Sequence, residues 1–234
     1  MSRQSPHRRV RIHPDFVDHP ALATLLAQID DYQRWSVAPP MKNDHAATVV
    51  TVRVGESVFV VKAYHPRSGI KGISRALRPS KAWASWRAAQ WLHAAGVSTV
   101  TPIALVENRH WSLTGRAFLI TDYLPGTNAR SFFNDSGRSD QDKQAAAGQI
   151  VDTVATLHRN GLAHGDTKDS NFLIDDGTTH VLDLDAVRRP RLPWRRRRGY
   201  ARDWRILRRN WQQNPPVQCW FDALIREREA EEKR

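Results

Sequence analysis

A two-lobed α+β fold is predicted for this chain, a sheet-containing N-terminal lobe followed by a mainly helical C-terminal lobe. Three observations predict it. Two adjacent β-rich runs, ATVVTVRV (47–54) and SVFVVKAY (57–64), stand in the first half. A further β-rich run, RAFLITDYL (116–124), is broken off by Pro125-Gly126. Beyond that break, apolar residues recur at helical spacing. The boundary separates an N-terminal lobe, residues 1–124, from a C-terminal lobe, residues 125–234.

The elements follow in order. Leu22, Leu25, Leu26 and Ile29 mark an amphipathic helix over 18–34. Gly55-Glu56 is a tight turn joining the first two strands into a hairpin. Residues 65–79 are basic and broken by Gly69, Gly72 and Pro79, which predicts a loop. Ser80 then caps a helix running to about residue 95, with Gly96 just past its end. Pro102 opens another β-rich stretch. Ser139 caps a long helix over 140–160, whose buried stripe is Ala147, Ile150, Val151, Val154 and Leu157. A second hairpin pairs FLID (172–175) with HVLDLD (180–185). Two helices close the chain, about 201–212 and 217–232.

Composition narrows the class. The 234 residues are 40% hydrophobic, enough to bury a core. One cysteine, Cys219, excludes a disulfide framework and a cysteine-built zinc site. No apolar run approaches the roughly 20 residues of a membrane helix, and the basic N-terminus lacks the apolar region of a signal peptide. A cytoplasmic protein is expected. The formal net charge of +12 favours anionic partners: phosphorylated substrates, phospholipid surfaces or nucleic acid.

The chemistry concentrates in HGDTKDSN (164–171) and in Asp183. Phosphoryl transfer needs a carboxylate beside the acceptor hydroxyl, and Asp166 is that group. It needs oxygen donors for Mg²⁺, which Asn171 and Asp183 supply. It needs a cation near the transferring group, and Lys168 is placed for it. The hairpin of short strands returns Asp183 to the edge that carries Asp166 and Asn171.

This layout resembles the protein-kinase-like superfamily, whose catalytic loop reads H-R-D-x-x-x-x-N before a D-F-G aspartate. Here the residues are H-G-D-T-K-D-S-N and then Asp183-Leu184-Asp185. The variant is most similar to the lipopolysaccharide core kinases, whose members phosphorylate heptose or Kdo sugars. WRAAQWLHAAGV (86–97), Pro102 and ITDYLPG (120–126) extend the resemblance over about residues 45–211. The resemblance implies a kinase fold with ATP and Mg²⁺ between the lobes. It implies that Lys62, ending FVVK, contacts the ATP phosphates, and that Asp122, Tyr123 and Leu124 form a nucleotide-binding hinge. It implies a glycolipid acceptor, met peripherally at the cytoplasmic face of the inner membrane. A protein or small-molecule kinase, and a pseudokinase-like module binding lipid or RNA, stay open as alternatives; nucleic acid is not the expected partner.

Two family features are missing. The turn KNDHAA (42–47) has no glycine, leaving the amides of Ala46 and Ala47 as the groups to approach phosphate. No Asp or Glu lies between Ser57 and Val106, so the helix lacks the glutamate that pairs with the lysine in relatives; Ser85 and Gln90 are the polar candidates it offers instead, and neither carries charge.

Other residues have plainer expectations. His164 orients the loop. Asp169 is a solvated carboxylate, and Asp185 either assists a metal or caps a turn. Gly165 and Gly199 serve the backbone. The arginines 188, 189, 191 and 195–198 form a basic segment suited to an acidic glycolipid, with Trp194 inside it as an interfacial anchor, a sugar platform or a packing residue.

Overall fold

The computed structural model describes residues 7–66, 79–110 and 113–232. The chain divides into two compact units, Met1–Arg87 with Val100–Tyr123, and Ala88–Thr99 with Leu124–Arg234. The expected basic loop over 65–79 lies almost wholly outside the described residues.

The first unit is built on an antiparallel sheet of β1 (His7–Ile12), β2 (Lys42–Asn43), β3 (Ala47–Val54), β4 (Ser57–Tyr64), β5 (Pro102–His110) and β6 (Leu113–Asp122). Their order is β1-β5-β6-β4-β3-β2. The period-2 alternation sorts side chains onto two apolar faces. Val50, Val52, Phe59, Val61, Phe118 and Ile120 pack with Leu22, Leu25 and Tyr32. Tyr64, Leu105 and Leu119 pack on the opposite face with Ala82 and Trp86. Burying each of the larger chains contributes about 1.5–3 kcal/mol against its exposed state. Lys62 pairs with Val49 and Leu119 in register and, two residues from Tyr64, shares that second face.

Two expectations are revised here. The helix expected over 18–34 is α1 (Pro20–Ala27) followed by a 3-10 segment, Ile29–Trp35. Gln28 leaves helical geometry between the two, and Asp31, a poor helix former, leaves it again inside the 3-10 segment. The strand β1 lies in what reads as a merely basic N-terminus. It is an edge strand, and Arg8, Arg9 and Arg11 give it the charge that discourages further pairing.

The helix α2 (Lys81–Ala94) starts as expected, with the N–H of Trp83 donating to Ser80 Oγ at 2.9 Å. In the second unit, α3 (Ala129–Asn134) and α4 (Asp140–Arg159) precede a sheet ordered β7 (Thr127–Asn128), β8 (Phe172–Asp175), β9 (Thr178–Val181). Ser139 caps α4, accepting from the N–H of Asp142 at 3.1 Å. The α4 stripe is buried as expected and gains Ala146, Ala155 and His158. It packs with Phe133, Phe172, Trp204, Leu207, Trp211 and Phe221.

The closing helices are α5 (Pro193–Arg209) and α6 (Pro215–Glu231). The former begins well before the expected residue 201. Pro193 occupies its first turn, where a missing N–H costs nothing, so Trp194–Arg198 are helical rather than loop. Trp204 and Leu207 face the core, and the helix approaches the chain before the HGD loop closely. A Cβ on Gly199 would lie 2.8 Å from Ala163 Cβ. No helix of the described residues is long and apolar enough to cross a membrane.

Candidate active site

The HGD loop is held by buried polar groups. The ring of His164 is fully buried; the N–H of Asp166 donates to its Nδ1 at 3.3 Å, and its Nε2 lies 3.2 Å from the carbonyl of Leu182. An acceptor Nδ1 puts the ring proton on Nε2, which donates to that carbonyl. The ring thus orients the loop, as expected. Gly165 has φ +81°, and a Cβ there would lie 3.0 Å from the carbonyl of Ala186. Only glycine meets both demands without strain.

Within the loop three of the expected residues converge. Asp166 Oδ2 accepts from Lys168 Nζ at 3.1 Å and from Asn171 Nδ2 at 3.3 Å. Asn171 Nδ2 also donates to the carbonyl of Asp166 at 2.8 Å. A carbonyl only accepts, so this bond fixes the amide nitrogen there and turns Oδ1 to the other side. The Asp166 side chain is 26% exposed and that of Lys168 59% exposed.

Asp183 is returned to this edge by the β8–β9 hairpin. Phe172 pairs with Val181, and the N–H of Leu182 donates to the carbonyl of Asn171 at 2.8 Å. Asp183 follows in left-handed geometry, φ 54° and ψ 59°. An aspartate held there costs on the order of 1 kcal/mol or more, the kind of strain that marks working sites. Asp185 sits in the 3-10 turn Leu184–Ala186, its carbonyl accepting from Arg188 at 2.8 Å. One amide oxygen and one carboxylate, from Asn171 and Asp183, are the hard donors that Mg²⁺ takes alongside water and phosphate.

Two groups that position the loop are not evident from sequence. Asp203, fully buried on α5, accepts from the N–H of His164 at 2.8 Å through Oδ2 and from the N–H of Gly165 at 2.7 Å through Oδ1. Its own carbonyl takes the hydroxyl of Thr167 at 2.6 Å. The one available signal is that Asp203 is the sole acid between Asp185 and Asp222 in an arginine-rich stretch. The second group is Arg130 on α3. It grips Asp169 in a two-pronged pair, 2.7 and 3.0 Å. Asp169 is 4% exposed, so it is not the solvated carboxylate expected. Burying a charge requires such a partner.

In the first unit, Lys62 Nζ lies 5.2 Å from the centre of the Tyr64 ring, a cation–π contact. Tyr64 in turn shares a 3.1 Å hydrogen bond with Ser85, an uncharged polar residue of α2. Asp122, ending β6, accepts from the N–H of Thr101 at 2.7 Å. Tyr123 follows with its side chain exposed, and Leu124 is half-buried. The KNDHAA turn corrects an expectation. Asp44 Oδ1 accepts from the N–H groups of both Ala46 and Ala47, each at 2.8 Å. Those amides are occupied by a side chain rather than left for phosphate. The bonds from Ala47 and Ala46, with Lys42 beside them, hold the Asp44 carboxyl down to about 2.

Comparison with known proteins bears on the family and the fold. No curated protein sequence matches the chain. The solved structure titled WaaP in complex with acyl carrier protein is similar to it, with a TM-score of 0.58 and 17% identity. The match covers 94% of this chain and 99% of that one, and at that identity it carries the kinase-like fold alone. The sequence profile of the lipopolysaccharide kinase (Kdo/WaaP) family matches residues 43–226. With most of its length inside that match, the chain belongs to the lipopolysaccharide kinase (Kdo/WaaP) family and is a kinase.

Proposed function

We propose that this kinase transfers the γ-phosphoryl group of ATP to a hydroxyl of a lipopolysaccharide core sugar, with Asp166 as its catalytic carboxylate. The observation that carries the reading is the meeting of Lys168 and Asn171 on one carboxylate oxygen, Asp166 Oδ2. The acceptor hydroxyl, oriented by Asp166, attacks the γ-phosphorus. The bond to the ADP oxygen breaks, and the hydroxyl proton passes to Asp166. Lys168 offsets charge on the transferring phosphoryl group. Asn171 Oδ1 and Asp183 would hold Mg²⁺, whose positive charge would offset the negative charge of the nucleotide phosphates. Lys62 contacts the phosphates, and the chain at Asp122, Tyr123 and Leu124 binds the nucleotide.

The acceptor's anionic, lipid-linked chemistry fits the segment after Asp185. All seven of its arginines, 188, 189, 191 and 195–198, are exposed. Trp194 is 57% and Leu192 46% exposed among them, a pairing of aromatic and cation suited to peripheral contact with an anionic membrane such as the cytoplasmic face of the inner membrane.

The test is incubation with γ-labelled ATP, Mg²⁺ and a lipopolysaccharide extract. Label in the core sugar is expected. Label entering protein or a small metabolite but never the glycolipid would replace the acceptor. No transfer, with no thermal shift at millimolar nucleotide, would sink the reading.

A further inference from the structure

Away from the Asp166 loop, the second unit holds a group of ionisable side chains around a buried histidine. His158, in the last turn of α4, is 3% exposed. Its Nε2 lies 3.2 Å from Asp203 Oδ2, and its Nδ1 lies 2.7 Å from Glu232 Oε1. Both ring nitrogens therefore face carboxylate oxygens, which only accept. Only the doubly protonated ring satisfies both.

Glu232 stands directly after α6, against the negative end of that helix's dipole, where a carboxylate is disfavoured. Its placement is fixed by other contacts. One turn earlier, Arg228 binds Asp152 of α4 at 2.8 Å, and Arg208 of α5 grips Glu229 in two bonds of 3.2 and 3.0 Å. Trp204 Nε1 donates to Glu232 Oε2 at 3.3 Å. The two arginine pairs thus fix the end of α6, and Trp204 holds the carboxylate itself beside His158.

We propose that Glu232 is a positioning residue for the phosphoryl-transfer loop, acting through His158 and Asp203 on the N–H groups that precede Asp166. Asp203 Oδ2 serves His158 Nε2 and the His164 N–H together, while Oδ1 serves Gly165. A ring with one proton, held on Nδ1 by Glu232, would turn a lone pair toward Oδ2. The carboxylate would then rotate and release the loop amides. Glu232 opposes this by adding a second negative charge beside the ring, so the second proton stays. The other groups facing His158 are on α5. Tyr200 stacks on it at 4.0 Å, its hydroxyl donating to the His158 carbonyl, and Trp204 meets it edge-on. Arg196 acts on Tyr200 by its charge. Burial opposes the ring's charge, and the bonds to Asp203 and Glu232 with their charges outweigh it, so His158 is raised above its usual range.

The inference rests on the proposed transfer reaction. Glu232→Gln keeps the shape and an acceptor for Nδ1 but removes the charge. Its kcat should match the parent near pH 6 and fall earlier on the alkaline side, the limb moving down by about one pH unit, a tenfold change in ring charge. KM for ATP should stay within about twofold, and Glu232→Asp should restore part of the limb. An active parent with an unchanged limb in Glu232→Gln sinks this inference alone. A parent that transfers no phosphate sinks it together with the proposed function. The unmodified chain supplies a second measurement that does not depend on a variant folding. Its ¹⁵N spectrum should show both His158 nitrogens still protonated as pH rises past the ordinary imidazole value of about 6.5, and a ring that loses its second proton at or below that value would overturn the proposal.

Discussion

The N–H of Gly165 donates to Oδ1 of Asp203 at 2.7 Å, joining positions 38 residues apart in the chain. The residue before the proposed catalytic carboxylate is therefore held by a helix, not by its own loop. Asp203→Ala would leave Nε2 of His158 and two loop amides without their acceptor. Breaking a buried ionic cluster this way costs about 3–5 kcal/mol, which urea unfolding should read.

Stability should also fall on the alkaline side. Bonds to two carboxylates raise the folded-state value of His158 above its unfolded one, after burial has pulled the other way. That contribution is complete below the unfolded value of about 6.5 and is lost as pH rises through the folded value. The urea midpoint should drop over that range, and His158→Gln should flatten the drop. On the acid side Asp44 contributes above the ordinary carboxylate value and loses its contribution as pH falls toward about 2.

Asp183→Asn should weaken nucleotide binding in Mg²⁺ while leaving binding in its absence little changed. Replacing the carboxylate by an amide removes the charge that a hard cation takes. Calorimetric titration with and without Mg²⁺ reads the difference. Equal loss in both conditions would point to folding instead of metal.

These expectations show what sequence can and cannot carry. The HGD loop, the β8–β9 hairpin and the Ser80 and Ser139 caps are local. Each depends on residues a few positions apart, so the spacing H-G-D-x-x-x-x-N and a cap before an apolar stripe suffice to place them. The pairing of Arg130 with Asp169 and of Asp203 with the loop amides joins distant positions, and nothing in either neighbourhood marks the partner. The Asp44 bonds are local but ambiguous. An aspartate two residues before a small pair can point outward or fold back on the amides, and only geometry decides. The early start of α5 turns on Pro193, which reads equally as a loop residue or as a first helical turn.

The exposed segment around Trp194 makes a separate prediction. Vesicles rich in anionic phospholipid should bind the protein, while neutral ones should not. Each arginine near such a surface contributes about 1 kcal/mol. Changing Arg195–Arg198 to glutamine should weaken binding by several orders of magnitude, and Trp194→Ala should weaken it further at high salt. Binding that ignores both changes would place membrane contact elsewhere.

The most direct test of the central claim is the turnover of Asp166→Asn measured beside its nucleotide affinity. The account predicts a fall in kcat of roughly 100-fold or more, with ATP binding retained, because the amide keeps the shape of Asp166 but cannot take the hydroxyl proton. Turnover comparable to the parent would contradict it.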